Sequence, residues 1–178
     1  MDFTHVYNSP LGKITLASDG KNLVGLWFEK NRFFAEGLSE ELEENANLPI
    51  FDETSSWLNI YFSGKVPDFT PSLLVRGSNF RKRVCEILRE IPYGKTLTYG
   101  EIANRIAKER GLSKMSAQAV GGAVGHNPIS IIIPCHRVVG VNGNLTGYGG
   151  GMWRKVKLLE LEKLDMTKFF VPKKEASL

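Results

Sequence analysis

Hydrophobic and polar residues alternate along the first part of the chain, between positions 3 and 28. A period of two that is interrupted by Gly, Pro, Asn and Asp is typical of short antiparallel strands joined by tight turns. We predict three such strands, over positions 3–7, 13–17 and 23–28.

The rest of this half is less regular. The acidic stretch 31–45 predicts a helix or a loop. Trp57 and Tyr61 have the spacing of a helix that starts near Asp52 and ends at Ser63. No motif in the first half of the chain carries chemistry, so we interpret its aromatic residues as part of the core. Positions 64–77 contain two prolines and two glycines and predict a linker.

A helical period dominates the second half. Ser78 can cap a helix over about 79–90, in which Cys85 falls beside the apolar stripe. Thr98 and Glu101 form a capping box that starts a helix ending near Arg110. A glycine-containing turn and a helix over about 115–124 complete a helix-turn-helix, and a last helix is predicted over about 153–164. From Lys173 onward we expect a disordered tail.

These elements predict an α/β fold of the α+β kind. A small N-terminal antiparallel-sheet domain with its linker covers residues 1–77, and a mainly helical domain with the helix-turn-helix covers residues 78–178. A chain of 178 residues can bury a core in one domain or in two small ones.

The strongest chemical signal lies at positions 131–140, where three isoleucines precede Pro134, Cys135 and His136. This pattern predicts a buried strand that is broken by the proline, with the thiol on a rigid kink. An adjacent imidazole could take the proton of the thiol, which is mostly protonated at neutral pH. Taken alone, Cys135 and His136 are explained at least as well as a small buried hydrophobic residue beside a core histidine. The surrounding motifs therefore decide between this structural role and a catalytic one.

The helix over 115–124 has almost no side chain on one wide face, because Ala117, Ala119, Gly121, Gly122 and Ala123 are all small. Three glycines in and beside such a helix destabilise it, which indicates that a backbone must come close to something. Two explanations fit, namely tight packing against another helix or entry of a slim helix into the minor groove of DNA.

Charge is distributed unevenly along the chain. Residues 1–77 hold 6 Lys/Arg and 11 Asp/Glu, a net charge of −5, whereas residues 78–178 carry +9, within a total of +4. A polyanionic partner for the second half explains this split, and so does an unevenly charged solvated surface.

The number and spacing of cysteine and histidine residues argue against a disulfide-stabilised fold and against a metal site. Two cysteines do not make a disulfide framework, and a reactive thiol suits a reducing compartment, so we expect a cytoplasmic protein. The three histidines lack the spacing of a metal cage, and we predict no metal and no other cofactor. We see no long apolar run or leader segment and expect a soluble protein with no membrane partner.

Several motifs occur in a fixed order, namely AQAVGGA at 117–123, GHNP at 125–128, PCHR at 134–137 and NGNLTGYGGG at 142–151. In this order and spacing the chain resembles the O6-alkylguanine-DNA alkyltransferases, DNA-repair proteins that are consumed by their reaction. The resemblance holds from about position 80 to about 164 and more loosely before that. Many family members carry a zinc ion in the N-terminal part, but this chain has no cysteine there.

The resemblance implies irreversible, single-turnover transfer of an alkyl group from O6-alkylguanine, with O4-alkylthymine as an open second substrate. It also implies a helix-turn-helix of winged-helix type, minor-groove binding and base flipping. Double-stranded DNA that bears the lesion is then the partner. We expect a monomer, with cooperativity on DNA left open.

The same resemblance assigns roles to four catalytic residues. Cys135 is the nucleophile, His136 is its base acting through a water molecule, and Glu162 orients the imidazolium. Tyr99 donates its hydroxyl to guanine N3, so that the purine leaves as a neutral species.

Substrate binding is assigned to four more residues. The main-chain N–H of Gly149 points at O6, and carbonyls near Cys135 and Val138 accept the exocyclic amine. Asn127 joins the second helix of the helix-turn-helix to the active-site strand, and Tyr148 belongs to the same pocket.

For DNA binding the resemblance indicates Ala117, Gln118, Ala119 and Gly121 on the slim helix, together with Arg137. The clearest departure from the family pattern is Gln118, because relatives have an arginine there that fills the space vacated by the flipped base. A glutamine lacks the charge, plane and reach of a guanidinium, so lesion capture is in doubt while the chemistry is intact.

Two other functions compete with repair. Alkyltransferase-like proteins bind lesions without repairing them, but they replace the cysteine that this chain retains as Cys135. A cysteine hydrolase could use Cys135 and His136, yet no hydrolase signature surrounds the pair.

Overall fold

The computed structural model of the protein describes residues 1–173. The strands are Asp2–Ser9 (β1), Gly12–Ser18 (β2), Leu23–Phe28 (β3), Leu42–Glu44 (β4), Leu97–Thr98 (β5) and Val138–Val139 (β6). The α-helices are Pro49–Phe62 (α1), Asn79–Arg89 (α2), Tyr99–Glu109 (α3), Ala117–Gly125 (α4) and Met152–Leu161 (α5). Short 3-10 helices occur at Cys135–Arg137, Val141–Gly143 and Met166–Lys168. The predicted tail beyond Lys173 lies outside the described residues.

The N-terminal half is a four-stranded sheet in the order β3-β2-β1-β4, covered by α1. The three predicted antiparallel strands are confirmed, with β1 paired to β2 and β2 to β3. The acidic stretch was predicted as a helix or loop, but its end forms β4, which pairs in parallel with β1. Helix α1 begins at Pro49, three residues before the predicted start, because a proline is favoured in the first turn of a helix.

Local caps define the helices of the second half. The Ser78 side chain accepts from Arg81 N, and the capping box of Thr98 and Glu101 is complete, as predicted. Ser116 caps α4, which follows α3 and packs against α2 and α3. These elements confirm a mixed α/β fold with a mainly helical second half. Its two-stranded sheet pairs β5 with β6, and the winged-helix assignment stays a prediction.

Strand β3 joins the two halves. Leu23 pairs with residues 72–74 of the predicted linker, and Leu26 pairs with the segment around Ile129. The linker therefore lies along the edge of the sheet, and one hydrophobic cluster runs from Phe28 in the first half to Ile133 in the second. The division into domains 1–77 and 78–178 stays a prediction.

The prediction of a buried strand at positions 131–133 is wrong. Ile131 has a positive φ of 69°, and the segment turns instead of extending. Pro128 and Pro134 each lack a backbone donor, and the Asn127 side chain bonds backbone groups at both ends of the segment, so side-chain bonds replace a sheet ladder.

Candidate active site

Cys135 lies on the kink that the sequence predicts. Pro134 has φ −82° and ψ 66°, and Cys135 begins the 3-10 helix that follows, with its N–H donated to Ile133 O at 2.8 Å. The residue is 6% exposed and lines a cavity of about 800 Å³. A thiol on a fixed backbone at a cavity wall can be approached by a ligand without rearrangement of the chain.

His136 forms a buried pair with Glu162. Its Nε2 lies 2.5 Å from Oε2 of the carboxylate, and both side chains are fully buried. Because a carboxylate can only accept, Nε2 carries the hydrogen and Nδ1 keeps its lone pair. Within the described residues Nδ1 has no hydrogen-bond partner. The pair thus presents a free base on the side of the imidazole that faces away from Glu162.

Three further groups hold the Glu162 carboxylate. Arg137 donates from Nε to Oε1 at 2.8 Å and from Nη2 to Oε2 at 3.2 Å. The main-chain N–H of Gly94 donates to Oε1 at 3.0 Å, and the Tyr61 hydroxyl donates to Oε2 at 2.6 Å. Such a carboxylate is fixed in both position and charge.

The expectation that Arg137 contacts DNA disagrees with the structure. Its side chain is buried against Glu162, and its Nη1 donates to Ile91 O at 2.7 Å. The guanidinium has its partners inside the protein, because a carboxylate as deeply buried as Glu162 requires a compensating charge.

The protonation states follow from burial and from these contacts. Burial raises the pKa of the Cys135 thiol and lowers the pKa of the His136 imidazole. Burial alone would raise the pKa of Glu162, but hydrogen bonds from His136 and Arg137 and the charge of the Arg137 guanidinium lower it to about 2. At neutral pH the site therefore contains a thiol, a neutral imidazole and a carboxylate.

Tyr99 and Tyr148 form the aromatic part of the cavity wall. Burial raises the pKa of Tyr99 to about 12, and its hydroxyl donates to Thr146 O at 3.1 Å. Burial raises the pKa of Tyr148 as well. Both phenols are protonated donors at neutral pH, which suits hydrogen bonding to a heteroaromatic base. Gly149 lies on the same wall.

Asn127 connects α4 to the cysteine segment, as the sequence predicts. Its Nδ2 donates to Ile133 O at 2.8 Å, and its Oδ1 accepts from Ile129 N at 3.0 Å. One amide thus fixes the chain on both sides of the turn that precedes Cys135.

Two family models match this chain. The model described as "6-O-methylguanine DNA methyltransferase, ribonuclease-like domain" matches residues 3–74, and the model described as "6-O-methylguanine DNA methyltransferase, DNA binding domain" matches residues 79–164. The chain belongs to the 6-O-methylguanine DNA methyltransferase family.

Individual relatives agree with the family models. A protein of Mycobacterium tuberculosis named methylated-DNA–protein-cysteine methyltransferase is 43% identical over 166 residues, which are 91% of this chain and 95% of that protein. A protein of the same name from Methanosarcina mazei is 44% identical over 164 residues, 92% and 99% of the two chains.

A solved structure also agrees. A crystal structure of Mycobacterium tuberculosis OGT in complex with DNA matches with a TM-score of 0.79 at 41% identity, over 94% of each chain. Transfer of a methyl group from DNA to a protein cysteine, the activity of the family, is therefore the activity of this chain. Residues 79–164 are its DNA-binding domain.

The small face of α4 is open in this methyltransferase. Ala117, Gln118 and Ala119 are exposed, and a Cβ added to Gly122 would meet nothing within 4 Å. Gly121 instead lies over the ring of Tyr99, where an added Cβ would make ordinary contact at 3.8 Å. Helix packing therefore accounts for only part of the small-residue pattern.

Sequence reasoning missed several residues of the methyltransferase site. Tyr61 lies in the hydrophobic core, as predicted for the aromatic residues of the first half, but its hydroxyl also donates to Glu162. Asn31, Arg32 and Phe33 line the cavity from the same half. Lys155 is fully buried and donates to Val138 O at 2.7 Å and to Thr146 O and Gly147 O at 3.2 Å. A fully buried lysine in an amphipathic helix has no distinguishing signal in a single sequence.

Lys155 also changes the expectation for Val138. The Val138 carbonyl, which we expected to accept the exocyclic amine of guanine, already accepts from this ammonium. A carbonyl oxygen has a second lone pair, so it can still accept a substrate N–H.

No three His, Cys, Asp or Glu side chains of residues 1–173 lie close enough together to hold a metal ion. No helix in the same range combines the length and apolar character needed to cross a membrane.

Proposed function

We propose that Cys135 accepts the alkyl group of O6-alkylguanine from double-stranded DNA, in one irreversible turnover per protein molecule. The observation that carries this proposal is the arrangement around the thiol. Cys135 lines the cavity, and the adjacent His136 is held by Glu162 with Nδ1 as the available base. Methyl transfer to a protein cysteine requires an accessible thiol, and Cys85, the other cysteine, does not line the cavity.

The reaction begins with transfer of the thiol proton to His136 Nδ1, through a water molecule. The resulting imidazolium is stabilised by Glu162, whose carboxylate stays ionised. The sulfur then attacks the alkyl carbon, a C–S bond forms, the C–O6 bond breaks and its electron pair goes to the purine. One proton is transferred overall from sulfur to the purine, and the thioether has no leaving group that water could displace.

Tyr99 and the loop at 146–151 receive the purine. The Tyr99 hydroxyl donates to Thr146 O in the unbound protein, and guanine N3 replaces this acceptor when the base enters. The N–H of Gly149 donates to O6, and the carbonyls of Cys135 and Val138 accept the exocyclic amine. Cys135, Tyr148 and Gly149 line the cavity, and the Tyr148 ring forms part of its wall. A neutral leaving purine lowers the barrier, because no anion then has to be buried.

The target base is stacked inside a duplex, so it has to be flipped out, which costs a few kcal/mol. We propose that α4 enters the minor groove with its open face of Ala117, Ala119 and Gly122 towards the DNA. Gln118, exposed on the same helix, then stands beside the cytosine that has lost its partner. The remaining basic charge of the second half binds phosphates.

Replacement of Gln118 by arginine is expected to improve lesion capture. A charge-assisted hydrogen bond to the orphaned cytosine is worth about 1–2 kcal/mol more than a neutral one, so binding to lesion duplexes should tighten about five- to thirty-fold. Repair of duplex DNA should accelerate, while the rate with free O6-benzylguanine, which needs no flipping, should stay the same. Titration of lesion duplexes and single-turnover rates measure both.

Asn47→Arg is the control for this prediction, because it adds the same charge at an exposed position of the N-terminal half. If Asn47→Arg improves duplex repair as much as Gln118→Arg, the gain is only electrostatic attraction. If Gln118→Arg and Gln118→Ala are both silent, a neighbouring residue stabilises the flipped state.

Adduct mapping tests the proposed function. After incubation with duplex DNA containing O6-methylguanine, peptide mass spectrometry should find one methyl group on Cys135 and none on Cys85. A parallel reaction with duplex DNA containing O4-methylthymine tests whether O4-alkylthymine is a second substrate. Binding without an adduct would support a lesion-binding protein, and repeated turnover of an ester or amide would support a hydrolase.

A further inference from the structure

Tyr61 connects the N-terminal half to the reacting groups. It lies in α1, is 0% exposed and donates its hydroxyl to Glu162 Oε2 at 2.6 Å, across 101 positions of the sequence. The same hydroxyl oxygen is 3.4 Å from His136 Nε2, and the two rings meet edge to face. A buried phenol with its hydroxyl on a buried carboxylate occupies a specific position that packing alone does not require.

The two carboxylate oxygens of Glu162 accept hydrogen bonds from different sets of donors. Oε1 accepts from Gly94 N and Arg137 Nε, which anchor the carboxylate to the second half. Oε2 accepts from His136 and Tyr61, with Arg137 Nη2 farther away at 3.2 Å. Tyr61 is therefore the close neighbour that shares with His136 the oxygen on which the imidazole depends.

We propose that Tyr61 is a positioning residue for alkyl transfer, because its hydroxyl holds Glu162 Oε2 towards His136 Nε2 and so keeps Nδ1 free as the base. This inference rests on the proposed function, in which His136 removes the proton of Cys135. It assigns the N-terminal half a part in the chemistry that acts through Glu162 and His136, in addition to its part in the core.

The proposal has a consequence for the proton affinity of His136. A donor on Oε2 withdraws charge from the carboxylate, so loss of the Tyr61 hydroxyl leaves more negative charge opposite Nε2. The imidazolium is then better stabilised, and the pKa of His136 rises. The other charged or titratable groups that face this pair are unchanged, namely Cys135, Arg137, Lys155, Tyr93 and Tyr148.

Tyr61→Phe tests the proposal against Tyr93→Phe. Tyr93 also packs edge to face on Tyr61, but its hydroxyl donates to the carbonyl of Leu161 at 3.3 Å and not to a carboxylate. Both variants lose one hydroxyl and keep the ring. The single-turnover rate with free O6-benzylguanine is measured against pH for the full chain, and the titration of His136 is followed by 15N NMR.

We expect Tyr61→Phe to lower the plateau rate about tenfold, the effect of losing one hydrogen bond to a charged group. The acid limb of its pH–rate profile and the NMR titration of His136 should both move to higher pH, while Tyr93→Phe leaves both in place. A slower Tyr61→Phe variant with unmoved titration would assign Tyr61 a merely structural role and overturn the proposal.

Adduct formation by the wild-type protein distinguishes failure of the proposed function from failure of the proposal for Tyr61. If it forms no adduct on Cys135, the proposed function fails. If it forms the adduct and Tyr61→Phe matches Tyr93→Phe in rate and in pH dependence, only the role of Tyr61 is wrong.

Discussion

Cys135→Ser should abolish alkyl transfer completely and leave the affinity for lesion duplexes unchanged. A serine has nearly the same shape, so the cavity and the exposed face of α4 persist. Its hydroxyl, however, holds its proton far more strongly than a thiol, and His136, whose own pKa burial lowers, cannot remove it. Mass spectrometry and DNA titration measure the loss and the retained binding.

Cys85→Ala is the matched control for the loss of a buried thiol. Cys85 is 2% exposed in α2, with its sulfur 4.0 Å from Asn127 Oδ1. Burial raises its pKa to about 12, so it is no nucleophile at neutral pH. The variant should lose some stability through the smaller side chain and still become methylated on Cys135. Residual transfer by Cys135→Ser, or an adduct on Cys85, would contradict the assignment.

Glu162→Gln should lower both stability and the rate of transfer. The amide NH2 of glutamine would face donors instead of acceptors, and the buried Arg137 would lose its counter-charge, which costs about 3–5 kcal/mol. Without the carboxylate the imidazolium of His136 is not stabilised, so the rate should fall about 10²- to 10⁴-fold, the range of general base catalysis. Urea unfolding and single-turnover kinetics provide the two measurements.

The pH dependence of stability has a definite sign here. The pKa of Glu162 is about 2 in the folded protein against 4.5 as its ordinary value, so the ionised form is favoured by folding. Its contribution to the free energy of unfolding is fully present above pH 4.5 and is lost as the pH falls towards 2. Glu162→Gln should lack this part of the acid dependence.

Glu160→Gln is the control, because Glu160 is exposed on α5 and its one ion-pair partner within residues 1–173 is Lys157 at the surface. It should change stability by less than about 0.5 kcal/mol. If Glu162→Gln resembles Glu160→Gln in stability, rate and acid dependence, the buried carboxylate has no central role.

Local patterns predicted the elements where neighbouring residues determine the backbone. The cap at Ser78 and the capping box from Thr98 to Glu101 lie where we expected them, since both depend on bonds between residues three positions apart. Strand β4 was missed because its three residues, all exposed, have no alternation and are held only by pairing with β1. The strand predicted before Pro134 is wrong because apolar residues indicate burial but not an extended backbone. Here they are buried in a turn that Asn127 stabilises.

The sequence by itself determined the motif that carries the thiol and imidazole, the position of Asn127 and the spacing from Cys135 to Glu162. These depend on residue types and on distances along one chain, which a motif records directly. Only the tertiary structure decided that Arg137 faces inward, that Lys155 holds the loop carbonyls, and that Tyr61 reaches Glu162 from the other half of the chain. The physical reason is that a buried charge is stabilised by whichever donors the fold brings to it, and those donors can lie a hundred positions away.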